Sequence, residues 1–166
     1  MESQETQNNG VVQVPEDEWT AAALAHASVL LTLILGVAGG VGAPVGLAVP
    51  LVMYFGYREK SRFVALHALQ SFVYQVAGLL AYIVLVTVLV VWVVMAWTVS
   101  GLLSAVLVGL LMMPFAALLT ALVVLVLVCA PFAWLGYGLY AAYQVYQGRD
   151  FRCWLIGEWL EREVKA

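Results

Sequence analysis

Charge is scarce in this sequence and missing from most of it. Only 10% of the 166 residues are Asp, Glu, Lys or Arg, against roughly a quarter in ordinary soluble domains. None occurs from Trp19 to Tyr57 or from Phe63 to Gly148. Stretches of that composition have no polar face to turn toward water, which excludes a soluble globular domain. Basic residues are missing altogether before Arg58. That excludes the cationic start of a secretory signal peptide, so the first apolar run is expected to stay in the mature chain. Cysteine is limited to Cys129, inside an apolar run, and Cys153, in the basic tail. Thiols in such different surroundings imply neither a disulfide nor a metal site. Seven Lys and Arg residues are too few for a nucleic-acid surface. The chain also lacks a phosphate-binding glycine loop, an HExxH pair, a GxSxG turn and a Ser, His and Asp set within one compartment. No enzyme and no resident cofactor are expected.

What remains is oil-soluble. Hydrophobic residues make up 64% of the chain and mean hydropathy is +0.98. Crossing a hydrocarbon core takes about 20 apolar residues per helix, and lipid admits only backbones whose polar groups are paired internally. The expected fold is therefore all-α, a polytopic membrane helical bundle of four spans at 20–35, 43–57, 66–98 and 114–146. These form a transmembrane domain over 19–148. Residues 1–18, rich in Gln, Asn and Glu, form a disordered acidic tail, and 149–166 form a cytoplasmic interfacial tail mixing Arg149 and Arg152 with Phe151 and Trp154.

Local signals refine the pattern. The segment Gly36 to Pro44 reads as a turn, because glycine frees the backbone and Pro44 suits the first turn of a following helix. Pro50 should kink the short second span, and a re-entrant hairpin is the alternative there. The third helix, beginning near Phe63, is longer than the bilayer core is thick. Thr98, Ser100, Gly101 and Ser104 read as a polar break, with Leu102 to Met113 an interfacial or re-entrant piece before Pro114. A fifth span in this region is the alternative to four.

With four spans, all seven Lys and Arg residues share one side, and the positive-inside rule makes that side, with both termini, cytoplasmic. The expected location is the cell inner (plasma) membrane. Arg58, Lys60, Arg62, Arg149 and Arg152 are then placed to meet anionic lipid headgroups. Small-residue faces such as Ala21, Ala25 and Ser28 suit close packing against other helices or other membrane subunits.

His26 and His67 are the ionisable side chains within or beside the spans, and such groups carry a functional hypothesis by default. His67, Gln70 and Tyr74 share a helix face and could point together into the bundle, toward His26 or Ser28. A haem or pigment ligand pair and a proton relay are the functional readings. Plain interhelical hydrogen bonding is the structural one, and two histidines without a wider ligand set favour it.

Four strings carry a resemblance: Ala23-Leu24-Ala25-His26-Ala27-Ser28, Ser61-Arg62-Phe63-Val64, His67-Ala68-Leu69-Gln70-Ser71, and Tyr146-Gln147-Gly148-Arg149-Asp150-Phe151-Arg152. Over about residues 17–160 the chain resembles the Tic-twenty-like small membrane-protein family, with motif positions at His26, Ser28, Arg62, Phe63, His67, Gln70, Gly148, Phe151 and Arg152. Cys153 and Trp154 stand where that family carries Tyr-Pro. The resemblance implies four helices with cytoplasmic termini and a distant link to the chloroplast inner-envelope import machinery. Three functions follow as expectations: a non-enzymatic accessory subunit of a larger membrane assembly, a channel or transporter-like translocation component, and a haem- or pigment-binding subunit using His26 and His67.

Overall fold

The computed structural model describes residues 14–39 and 42–153, and these are helical almost throughout. The helices are α1 (Glu16–Ala27), α2 (Val29–Gly39), α3 (Gly42–Tyr57), α4 (Arg62–Leu103) and α5 (Val108–Tyr146), with a single 3₁₀ turn, Ser104–Val106, joining α4 to α5. Most of the acidic tail, residues 1–13, and the part of the interfacial tail beyond Cys153 lie outside the described residues.

Helix α1 begins after Pro15 with Glu16, Asp17 and Glu18 in its first turn, where carboxylates oppose the positive end of the helix dipole. It passes into α2 through a turn at Ser28. Ser28 N–H donates to Leu24 O at 3.1 Å and Thr32 N–H to Ser28 O at 3.2 Å, and these two bonds carry one continuous helical stretch, Glu16–Gly36, across the turn. Helix α4 starts at Ser61, whose extended backbone (φ −144°) lets its hydroxyl accept from Val64 N–H. Side-chain capping of this kind satisfies one of the unpaired N–H groups at a helix start. The same hydroxyl donates to Glu18 Oε2 at 2.6 Å, tying the start of α4 to that of α1.

Three helical stretches are long and apolar enough to cross a membrane: Glu16–Gly36, Arg62–Val106 and Val108–Tyr146. The second expected span, 43–57, is short, as its sequence suggests. Pro44–Tyr57 is a shorter apolar helix, and the 16 residues of α3 reach only about 24 Å at 1.5 Å per residue, less than a core of about 30 Å.

In the region 99–113 the expected polar break is present only from Ser104 onward, and the expected piece Leu102 to Met113 is divided between the end of α4, the turn and the start of α5. Helix α4 runs on to Leu103, the chain turns over Ser104–Leu107, and α5 starts six residues before Pro114. The hydroxyls that suggest a loop are absorbed by their own helix: Thr98 donates to Val94 O and Ser100 to Ala96 O, each at 2.8 Å. Back-bonding of this sort removes the need for water. The stretch from Phe63 to Gly148 thus forms two helices, against the five-span alternative, with the reversal made at Leu107 in a left-handed conformation (φ 65°).

Polar rungs join α4 to α5. Tyr74 donates to Trp134 O at 2.7 Å, Tyr82 to Leu127 O at 3.0 Å and Trp97 Nε1 to Thr120 Oγ1 at 2.9 Å. The middle rung has a specific cause. Pro131 has no N–H, so the carbonyl four residues earlier, that of Leu127, loses its helical donor. The Tyr82 hydroxyl replaces it. Tyr82→Phe is therefore expected to cost about 0.6–1.5 kcal/mol and to raise flexibility around Pro131, measurable by unfolding in mixed micelles. Unchanged stability would show that the orphaned carbonyl finds another donor.

Candidate functional site

The inner face of α1 and α2 carries Ala22, Ala25, His26, Val29 and Thr32, all buried. The facing stripe of α4 carries Val64, His67, Ala68, Ser71 and Gln75, also buried. Spacings of three and four keep each set on one side of its helix, and the small residues let the backbones approach. Where they meet, His26 Nε2 lies 3.3 Å from His67 Nδ1. The rings stand edge to face, with centroids 5.5 Å apart. On its other nitrogen, His67 Nε2 faces Asp150 Oδ1 at 3.5 Å.

Asp150 reaches that point because of how α5 ends. Gly148 takes a left-handed conformation (φ 75°), its N–H donates to Val145 O at 2.9 Å, and Arg149 N–H donates to Gln144 O at 3.1 Å. This is the paired-bond helix stop that favours glycine. It returns the chain over the bundle, setting Phe151 against Tyr137 and Tyr140 and burying Cys153. Arg152 holds the Asp150 carboxylate from outside at 3.1 Å. Trp19 and Phe63 pack edge to face at 4.5 Å, and Phe63 in turn closes over His67 at 4.6 Å. The charged segments around Glu18, Ser61 and Asp150 therefore converge on one end of the bundle.

The electrostatics assign the protons. A carboxylate accepts, so Asp150 favours the His67 tautomer with hydrogen on Nε2. His67 Nδ1 is then a lone pair, and His26 Nε2–H donates to it. Deeper along α4, Gln75 is fully buried and fully bonded. Its Nε2 donates to Ser28 Oγ at 2.8 Å and Ser71 Oγ at 3.1 Å, while its Oε1 accepts from Thr32 Oγ1 at 2.6 Å. Ser28 and Ser71 both donate to Ala25 O at 2.7 Å.

The structure brings His26 and His67 together and joins Ser28 to their neighbour Gln75. It does not gather His67, Gln70 and Tyr74 on one inward face, since Tyr74 turns to α5 and stacks on Trp134 at 5.8 Å. Gln70 is buried with its Nε2 unpaired. Arg62 and Arg152 are exposed at the charged end and Phe151 is half-buried. Asp150 and Gln75 are the participants to which the sequence alone assigns no role. A polar residue at every fourth position, His67, Ser71 and Gln75, is the available signal for the second. A haem between the histidines does not fit. Metal–imidazole bonds of about 2 Å on each side would separate the ligating nitrogens by about 4 Å with a macrocycle between them, whereas these rings touch directly.

The model of the magnetosome magnetite crystal formation protein family, MamF/MmsF, matches residues 17–160. The chain belongs to that family. This corrects the Tic-twenty-like resemblance, and the translocation role it implied falls with it. The MamF/MmsF match takes in every motif position that carried that resemblance, His26, Ser28, His67 and Gly148 among them. Neither a curated protein nor a solved structure matches the chain.

The docked tail offers a readout of the site. Burial pushes the Cys153 thiol up to about 11, so it stays protonated and slow to react at neutral pH. A raised value of this sign favours the docked tail fully below the ordinary thiol range, and that contribution is lost as pH rises through about 11. Gly148→Ala places a side chain in left-handed backbone, at about 1–2 kcal/mol. In a Cys129→Ser background it is expected to speed maleimide labelling of Cys153 several-fold. Labelling at the unaltered rate would mean that the glycine turn does not hold the tail.

Proposed function

We propose that this chain is a non-enzymatic, multi-pass component of the magnetosome membrane that acts in the formation of magnetite crystals. The observation that carries the reading is the family match over residues 17–160, on a chain whose described part consists of apolar helices. Its described soluble segments are too small to enclose a mineral surface. Its influence is therefore exerted from within the bilayer, as an accessory subunit packing against other helices through its small-residue faces.

In this reading α3 is a short fourth span, both termini lie in the cytoplasm, and Arg58, Lys60, Arg62, Arg149 and Arg152 contact anionic headgroups there. Convergence of the charged segments on one end supports that threading. The deciding experiment is deletion of the coding sequence in a magnetite-forming host, followed by electron microscopy of the crystals and of a complemented strain. An altered crystal-size distribution restored by the full chain is expected. Crystals indistinguishable from the parent's would overturn the function. Recovery of the protein only in plasma-membrane fractions would overturn the location.

A further inference from the structure

We propose that Asp150, His67 and His26 form a proton relay between water at the charged end of the bundle and its buried polar interior. The inference rests on the reading that the chain serves magnetite formation, and it names what the site would handle. Every oxide oxygen that a growing iron oxide draws from water leaves two protons behind. A compartment that mineralises must pass acid across its membrane.

The arrangement meets the requirements of proton transfer step by step. Imidazole takes a proton on one nitrogen and releases one from the other, and both nitrogens of His67 are engaged, Nδ1 with His26 and Nε2 with Asp150. His26 is 1% exposed and His67 4%, while the Asp150 side chain is 52% exposed. The chain thus runs from a buried group to a solvated one. A proton arriving on the free nitrogen of His26 makes it an imidazolium. His26 passes its Nε2 proton to His67 Nδ1, His67 passes its Nε2 proton to the Asp150 carboxylate, and Asp150 releases it to water. One proton enters, one leaves, and no electrons move. Exchange of the ring protons resets the tautomers. The charged groups around the relay are Arg152, which holds Asp150, and Glu18 on α1, which is engaged by Ser61.

Inward of the histidines lies a second polar cluster. Ala25, next to His26 in the chain, accepts from Ser28 and Ser71. These lead to Gln75 and Thr32. Thr32 lies on a cavity of about 500 Å³ that extends between Gly36, Gly78, Tyr82 and Trp134. The indole N–H of Trp134 is buried there without a partner, the position a water would complete. Along α4 these groups run from His67 to Tyr82, 16 residues or about 24 Å of helix, most of a hydrocarbon core of about 30 Å.

The test uses the purified full chain in liposomes of neutral lipid, with a trapped pH-sensitive dye and a potassium diffusion potential. Proton flux at least ten-fold above protein-free vesicles is expected. His67→Gln should remove most of it. Asp150→Asn, at an exposed position that leaves the fold intact, should lower it several-fold and flatten its dependence on external pH. Flux equal to that of empty vesicles would overturn the relay, as would unaltered flux and pH profile in Asp150→Asn. A chain that conducts no protons yet restores crystals in the deletion strain sinks the relay alone. A deletion strain with normal crystals sinks the functional reading while the flux result stands.

Discussion

Gly46→Val is expected to prevent recovery of the folded chain in mild detergent. A Cβ at Gly46 would overlap the backbone of Thr32 as well as its hydroxyl, so α2 and α3 cross at backbone contact. Overpacking usually costs about 1–3 kcal/mol because neighbouring side chains yield. Here the obstacle is main chain, and the helices must part. Parting them would also disturb Thr32, which donates to Gln75. We expect a loss of at least about 3 kcal/mol, with Gly46→Ala intermediate. Gly56, where an added Cβ would meet nothing within 4 Å, is the control. Gly56→Ala should be neutral or stabilising by up to about 1 kcal/mol, from helix propensity. Thermal unfolding of the three variants in one detergent measures the contrast, and equal midpoints would refute the close crossing.

Replacing Gln75 should have the second-largest effect. Gln75→Leu keeps the volume but removes three hydrogen bonds and leaves Thr32 and two serines to find partners within their own helices. Interhelical hydrogen bonds in membranes average about 0.6 kcal/mol, and unmade buried groups cost about 1–3 kcal/mol. A total near 2 kcal/mol is therefore expected. Gln75→Glu should be worse, because a carboxylate in that dry position must be neutralised or expelled. If Gln75→Leu unfolds at the same denaturant concentration as the unaltered chain, the amide does not hold α2 to α4.

The helices are legible in the sequence because charge can be located directly: lipid leaves ions only at the ends of apolar runs, and the long helices lie between those ends. His26 and His67 stand out for the same reason. Other features are hidden by ambiguity in what a residue does. Thr98 and Ser100 resemble loop formers as Ser104 does, yet only Ser104 opens the turn; inside an apolar helix the other two hydroxyls bond back to carbonyls one turn earlier. Pro114 suggests a helix start and is tolerated within α5. Asp150 sits on a tail whose path depends on the Gly148 turn, which brings together residues 83 positions apart in sequence. The family is misread from short strings for a related reason. Gly148 and His67 serve capping and packing, and short motifs with such duties do not discriminate between bundles.

The α4–α5 pair reaches well past the rest of the bundle. With 42 residues, α4 measures about 63 Å, twice the thickness of an ordinary hydrocarbon layer of about 30 Å. Leaning by about 40°, near the limit seen for membrane helices, it would still project about 48 Å onto the normal. The outer half of the pair, around Val91, Trp92 and Leu102 of α4 and Phe115 of α5, carries bare greasy side chains. Lipid around such a spike must stretch to hide it, so the molecule is predisposed to settle where the sheet of lipid is thick.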